Sequence, residues 1–105
     1  MMTASRCVLQ RLRSALDGIY GERIERVVLY GSRARGDART DSDYDVAVFL
    51  NDMADRWTEI DRLVEIADRL LDETGAVINA LPFRAKAYNE RTPLMHEIRR
   101  EGFEL

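Results

Sequence analysis

Two short apolar segments place the strongest constraint on how this chain folds. They are residues 24–30 (IERVVLY) and 43–50 (DYDVAVFL), and each becomes continuously apolar toward its end. Short apolar runs that are rich in β-branched residues and bounded by turn residues are typical of buried strands. Gly31 follows the first run and Asn51 the second, so both runs end abruptly. The sequence therefore predicts two central strands of a sheet.

The segments around these strands have apolar residues at helical spacing. Apolar residues recur at three-and-four spacing, which is the signature of amphipathic helices with one buried face. Glycines follow or interrupt these segments where helices commonly stop. The expected helices cover about residues 4–17, 57–74 and 93–100. Gly18 and Gly21 are expected to mark the end of the first helix, Gly75 the end of the helix over 57–74 and Gly102 the end of the last helix.

The remaining elements are short. A helical turn is expected over residues 32–38, and residues 37–42 form a polar loop. Residues 76–83 resemble a third strand, with Pro82 near its edge. The predicted order is α-β-α-β-α-β-α, which corresponds to one small α/β or α+β sheet covered by helices.

Length and composition indicate one packed domain, residues 1–105. Apolar residues make up 46% of the chain and charged residues 33%, which is typical of a globular protein. No apolar run approaches the roughly 18 residues that a membrane-spanning helix needs, and arginines interrupt the apolar residues of the first segment. The single cysteine, Cys7, cannot form an internal disulfide. We therefore expect a cytoplasmic protein without a membrane partner.

Three further side chains invite a structural interpretation. Cys7 is expected to be a small buried residue of the first helix. Trp57 and the leucine-rich face of the third helix are expected in the core, although an uncovered part of that face would make a partner surface. His96, the only histidine, lies far from the other candidate residues and is expected at the surface or in packing.

The charge distribution is asymmetric. Residues 1–40 carry eight arginines and four acids, whereas residues 41–105 carry eight basic and fifteen acidic residues. A basic first part suits a phosphate-bearing ligand, while the net charge of −3 argues against an extensive nucleic-acid surface. For most individual arginines a solvated surface position remains the simpler interpretation.

Chemistry is concentrated between the two predicted strands. Gly31 and Ser32 follow the first strand, and a backbone turn of that kind directs amides and a hydroxyl toward one point, where phosphate binds well. Asp43 and Asp45 are two residues apart in a strand, so both carboxylates project from the same face. Like charges at that distance favour a shared cation, and Mg²⁺ prefers carboxylate oxygens completed by phosphates and water.

Each motif alone also has a simple structural interpretation. A lone Gly-Ser is usually a turn, and a lone Asp-x-Asp is usually a solvated strand end. Their conjunction is more specific, because ten residues that include three arginines separate Ser32 from Asp43 and both motifs adjoin apolar strands. This combination favours a functional site.

The arrangement Gly31-Ser32, ten residues, Asp43-x-Asp45 resembles the signature of the DNA polymerase beta nucleotidyltransferase superfamily. The sequences GSRARGD and DSDYD resemble its minimal nucleotidyltransferase (MNT) branch. The resemblance is specific over residues 27–50. It implies a small mixed sheet flanked by helices, and Mg²⁺-dependent transfer of a nucleoside monophosphate, with ATP as the expected donor, to a hydroxyl.

The same resemblance implies roles for individual residues. Asp43 and Asp45 would be the catalytic metal ligands, and Ser32 would hold the terminal phosphates. The candidate nucleotide-binding residues implied are Gly31, Ser32, Arg33, Arg35 and Ser42. For Arg33 and Arg35, a surface or partner-facing role is an equal alternative. Minimal members are often encoded beside HEPN-domain toxins and act as antitoxins, some by adenylylating a toxin tyrosine, so a HEPN toxin is the implied partner, and self-association is left open.

One departure from the family pattern bears on activity. Active members generally supply a third carboxylate from a later strand, and the corresponding segment here, residues 76–83, contains no acid. By period-two alternation Asn79 is its only polar side chain that can approach the metals, and an amide is not a general base. A simple strand-end role for Asn79 is the competing interpretation. Three functions therefore stay open: a protein adenylyltransferase, a binding module that neutralises its partner by occlusion, and an enzyme acting on a small molecule or RNA end.

Overall fold

The computed structural model describes residues 4–39 and 41–105, so Thr40 of the predicted polar loop lies outside the described residues. Two short 3₁₀ turns, Gly21–Arg23 and Ala85–Asn89, connect the main elements. None of the helices in this part of the chain is long and apolar enough to cross a membrane. The helices are α1 (Ala4–Tyr20), α2 (Ser32–Arg35), α3 (Arg56–Thr74) and α4 (Pro93–Glu101). The strands are β1 (Ile24–Tyr30), β2 (Tyr44–Leu50), β3 (Ile78–Arg84) and β4 (Phe103–Glu104).

The four strands form one mixed sheet in the order β3-β2-β1-β4. β1 runs antiparallel to both β2 and β4, whereas β2 and β3 are parallel. The mixed α+β architecture expected from the sequence is confirmed, with β1 and β2 at the centre. β4 was not predicted, because two residues are too few to produce an alternating pattern.

The sheet separates two apolar layers. On one face, α1 and α3 pack against a cluster that includes Val27, Leu29, Tyr44 and Val46. On the other face, α4 and the second 3₁₀ turn pack against a smaller cluster that includes Val28 of β1 and Ala47 of β2. Because β1 and β2 are covered on both faces, their sequences are continuously apolar rather than alternating.

Local capping explains where α3 and α4 begin and end. The Asp55 side chain accepts a hydrogen bond from the Trp57 amide, and Gly75 ends α3 in the left-handed conformation at φ 77°. The Thr92 side chain accepts from the Met95 amide and Pro93 occupies the first turn of α4. α1 continues through Gly18 to Tyr20, so of the two glycines expected to mark its end, Gly21 directly follows the helix and Gly18 lies inside it.

Two predictions about burial are wrong. Cys7 is exposed, because it lies beside the buried stripe that begins at Val8 rather than within it. Trp57 is 74% exposed, because the side of α3 that faces the sheet is formed by other residues further along the helix. His96 is exposed, which confirms a surface position.

Candidate active site

The sheet brings Asp45 between two polar side chains. Asp45 pairs with Tyr30 of the antiparallel strand β1 and with Asn79 of the parallel strand β3. Residues directly opposite one another in neighbouring strands project from the same face of a sheet. Asp43 immediately precedes β2 and lies two residues from Asp45, so period-two alternation also directs it to this face. The face is the one that α4 covers further along the strands.

Asn79 connects the two aspartates. Its Nδ2 atom donates to Asp43 Oδ2 at 3.0 Å and to Asp45 Oδ1 at 3.5 Å. The two carboxylates therefore converge on one atom, while Asp43 and Asn79 are exposed to solvent. Convergent carboxylate oxygens of this kind fit a hard divalent cation. Within residues 4–39 and 41–105, no third His, Cys, Asp or Glu joins them in a metal-binding group.

The backbone of Gly31 lies directly against Asp45. Gly31 adopts φ 76° and ψ −155°, a conformation that only glycine adopts readily. A Cβ at this position would lie 2.5 Å from Asp45 Oδ2, which is too close for any side chain. The glycine therefore allows the end of β1 to approach the carboxylate of β2.

The two predicted serines border this glycine and the aspartates in different ways. Ser32 follows Gly31 and is the first residue of α2, and the Gly31 carbonyl accepts hydrogen bonds from the amides of Ala34 and Arg35. Ser42 precedes Asp43, and its Oγ accepts from the Arg39 amide at 2.8 Å. Ser42 thus orders the loop that delivers Asp43, whereas Ser32 lies beside the Gly31–Asp45 contact.

The two predicted arginines contact protein groups away from the aspartate pair. Arg33 donates to the Ser42 carbonyl at 2.8 Å and stacks on Tyr44, whose ring belongs to the opposite face of the sheet. Arg35 donates to Glu97 and Glu101 of α4 at 3.3 and 3.5 Å. Its guanidinium therefore ties α2 to α4.

The family model of polymerase beta nucleotidyltransferases matches residues 18–105. The chain belongs to this family. A curated relative from Methanocaldococcus jannaschii, named Putative protein adenylyltransferase MJ0604, is 32% identical over 78 residues, covering 74% of this chain and 72% of the relative. The family expected from the motif is thus confirmed, and the protein is a nucleotidyltransferase.

Two solved structures share the fold of this nucleotidyltransferase. A toxin-antitoxin structure with AMP-PNP superposes with a TM-score of 0.64 at 20% identity, covering 90% of this chain and 69% of that chain. A tri-AMPylated HEPN toxin of Shewanella oneidensis in complex with MNT antitoxin gives a TM-score of 0.53 at 18% identity, covering 96% and 67%. At these identities the likeness shows a common architecture.

Sequence reasoning missed two residues that border the site of this nucleotidyltransferase. Burial raises the pKa of the Tyr30 phenol, and the nearby carboxylates of Asp45 and Glu97 raise it further. The phenol is therefore held in its neutral form beside the aspartates. The antiparallel register opposite Asp45 could have indicated Tyr30, but nothing in the sequence places Glu97 of α4 near β1.

Proposed function

We propose that this nucleotidyltransferase transfers AMP from ATP, in the presence of Mg²⁺, to a protein hydroxyl, with a tyrosine of a HEPN-type toxin as the acceptor. The observation that carries the proposal is the convergence of Asp43 and Asp45 on a single atom of Asn79 beside Gly31. The name of the archaeal relative and the AMPylated toxin in the second solved structure support the choice of AMP and of a protein acceptor.

The reaction forms one bond and breaks one. The acceptor oxygen bonds to the α-phosphorus of ATP, the bond between that phosphorus and the pyrophosphate oxygen breaks, and the hydroxyl proton passes to solvent water. We assign metal binding to Asp43 and Asp45, and Mg²⁺ held there would supply positive charge for the triphosphate oxygens. Ser32 would contact the terminal phosphates, with Gly31 leaving room for their approach.

The other assigned residues contribute less directly. Ser42 would act by holding the loop before Asp43. For Arg33 and Arg35 to bind the triphosphate, each guanidinium would exchange its present protein partners for phosphate oxygens. A structural role that positions α2 is the alternative for both arginines.

Labelling tests this proposal. The chain is incubated with [α-³²P]ATP, Mg²⁺ and the purified product of the neighbouring reading frame, and label is expected on that protein. The double variant Asp43→Asn/Asp45→Asn should abolish labelling with the circular dichroism spectrum unchanged. Asp41→Asn is the matched control, because Asp41 is an exposed acid two residues away that lines a cavity on the opposite face with Tyr44. Labelling that persists in the double variant would refute the proposal.

Asn79 favours a second candidate, a nucleotide-binding module that neutralises its partner by direct contact. It occupies the strand position from which a third carboxylate would come, and its amide already stabilises both aspartates without a metal. This candidate predicts that the Asp43→Asn/Asp45→Asn variant still neutralises the toxin. The adenylyltransferase predicts that neutralisation is lost with labelling.

A further inference from the structure

Helix α3 carries a stripe of apolar side chains that the core covers only in part. Trp57 is 74% exposed, Val64 51% and Leu71 43%, and Ile60 and Ala67 between them are half-buried. We call these five residues, Trp57, Ile60, Val64, Ala67 and Leu71, the α3 stripe. Their spacing is three, four, three and four residues, which is the spacing of the seam between two packed helices.

The stripe lies beside the face that α3 contributes to the core, and of its residues Ala67 also packs against the core cluster. That buried face is formed by Glu59, Leu63, Ile66 and Leu70, which are offset around the helix from the stripe. The apolar arc of α3 is therefore about twice as wide as its contact with the domain requires. Large exposed apolar residues that recur along one helix mark a surface for another protein segment, and the regular spacing indicates that the segment is a helix.

An acidic row borders the stripe on its solvent side. It consists of Asp61, Glu65, Asp68 and Asp72, all exposed and spaced along the same flank of the helix. Across the described part of the chain none of these four carboxylates takes part in an ion pair. Unpaired acids beside an apolar seam favour a partner with basic residues at the matching positions.

Charge also argues against a second copy of this chain as the partner. Two α3 stripes packed antiparallel would place Asp61 and Asp68 of one copy opposite Asp68 and Asp61 of the other. If the two stripes packed parallel, Asp61 and Asp68 of one copy would face the positions of Leu63 and Leu70 of the other copy, and both leucines are buried in the core. Neither arrangement supplies a basic residue to the acidic row.

We propose that the α3 stripe binds an amphipathic helix of another protein, whose apolar seam follows the same heptad spacing and whose flank carries lysine or arginine. The stripe supplies the apolar contact area, and the acidic row selects the partner and its orientation. This inference goes beyond the proposed transfer reaction and does not require it, because none of its residues belongs to the aspartate site.

A fluorescence titration tests the binding, because Trp57 is the only tryptophan of the chain. The probe is a synthetic three-heptad peptide with leucine at the seam and lysine on its flank. We expect a blue shift of the Trp57 emission and an affinity that weakens as salt rises. The same peptide with glutamate in place of lysine should bind on the order of tenfold more weakly or worse, because like charges then meet.

Matched variants locate the contact, with peptide affinity measured by calorimetry because they leave Trp57 in place. Val64→Asn/Leu71→Asn should abolish binding without changing the circular dichroism spectrum, since both residues are about half exposed and lie outside the buried core. Phe103→Asn is the control, because Phe103 is 64% exposed on β4 at the opposite edge of the sheet. Asp61→Lys/Asp68→Lys should reverse the preference toward the glutamate peptide. The aspartate-site double variant should still bind the lysine peptide, so failure of the transfer reaction and failure of this inference are distinguishable.

Three results would overturn the inference. The first is equal affinity for the lysine and glutamate peptides, and the second is no binding of either. The third is sedimentation of the chain alone as a dimer that Val64→Asn/Leu71→Asn converts to a monomer, which would assign the stripe to a second copy.

Discussion

Gly31 is the residue at which a single added carbon should matter most. In Gly31→Ala the new Cβ would meet Asp45 Oδ2 at 2.5 Å, and φ 76° with ψ −155° would strain any other residue by about 1–3 kcal/mol. Because Asp45 must move, we expect loss of Mn²⁺ or Mg²⁺ binding in calorimetry together with loss of AMP transfer.

Gly36→Ala is the control for this prediction. Gly36 also has a positive φ, 85°, but a Cβ there would meet nothing within 4 Å. Gly36→Ala should therefore lower the free energy of unfolding by about 1 kcal/mol, while its metal affinity stays unchanged. If Gly31→Ala and Gly36→Ala lost metal affinity equally, the close approach of the Gly31 backbone to Asp45 would not be what metal binding requires.

Asn79 allows a gain of function to be tested. Asn79→Asp adds a third carboxylate beside Asp43 and Asp45, so without metal it should destabilise the chain by about 1 kcal/mol through like-charge repulsion. With Mg²⁺ the same variant should be more stable than the parent, and transfer should rise by up to about 10²- to 10⁴-fold if a base was lacking. Thermal melting with and without Mg²⁺, and the labelling rate, measure these effects.

Asn79→Ala distinguishes added charge from lost hydrogen bonds. It removes the bridge between the aspartates but adds no acid, so Mg²⁺ should stabilise it no more than the parent. Identical melting responses of Asn79→Asp and Asn79→Ala would exclude a charge effect at this position.

At the residue scale, the sequence predicted the arrangement where strand alternation determines it. Asp43 and Asp45 share one face because the period of a strand is two, and the parallel register that pairs Asp45 with Asn79 places Asn79 on the same face. The partners of Arg33 and Arg35 could not be predicted, because a long side chain on a four-residue helix can reach either face of the sheet. Glu97 was missed for a related reason, since its position depends on how α4 crosses the sheet.

At the element scale, the connection from α4 to β4 depends on Gly102. Its φ of −69° suits any residue, but a Cβ would lie 2.2 Å from the Ile98 carbonyl and 2.4 Å from Val28 Cγ1. Gly102→Ala should therefore push β4 away from β1 and lower the free energy of unfolding by about 1–3 kcal/mol. Urea denaturation followed by circular dichroism measures the change.

A glycine-to-alanine substitution at Gly18 should have the opposite effect on the free energy of unfolding. Gly18 lies inside α1, where a Cβ would meet nothing within 4 Å. Gly18→Ala should raise stability by about 0.5–1 kcal/mol, because alanine favours the helix. A comparable loss in both variants would mean that the close packing at Gly102 does not determine its effect.

The accuracy of the predicted elements follows from the signals that defined them. The carboxyl end of α3 was predicted well because Gly75 ends the helix at a positive φ. For α1 the prediction named two glycines, and only Gly21 marks the end of the helix. Gly18 lies inside α1, because a glycine is tolerated within a helix when tertiary packing supports both sides. Trp57 was assigned to the core because periodicity identifies an apolar arc but does not show how much of it the domain covers.

At the scale of the whole molecule, the two ends of the sheet have different roles. The aspartates lie where β1 ends and β2 begins, whereas a partly buried polar cluster lies where β1 begins and β2 ends. In that cluster Glu59 is buried and pairs with Arg23 and Arg62, close to the phenol of Tyr20. This cluster ties α1, the start of β1 and α3 together, so it should affect global stability without affecting the distant aspartates.

The pH dependence of unfolding should report on this cluster through Tyr20. Burial, with the nearby Glu59 carboxylate as a second cause, raises the pKa of Tyr20 from 10.0 to about 12. The folded state therefore retains the phenolic proton longer than the unfolded state does, and this stabilisation is complete below pH 10 and is lost as the pH rises toward 12. A shift of this size corresponds to about 2–3 kcal/mol.

Tyr20→Phe removes the titrating group while keeping the buried ring. The parent should lose about 2–3 kcal/mol more than Tyr20→Phe between pH 10 and pH 12 in urea denaturation, because every other ionisable group is common to both chains. Parallel loss of stability in the two proteins would show that Tyr20 ionises as readily in the folded state as in the unfolded state. In that case the alkaline transition would arise from another group. Tyr30 at the aspartate end of the sheet would be tested next, because burial also raises the pKa of its phenol.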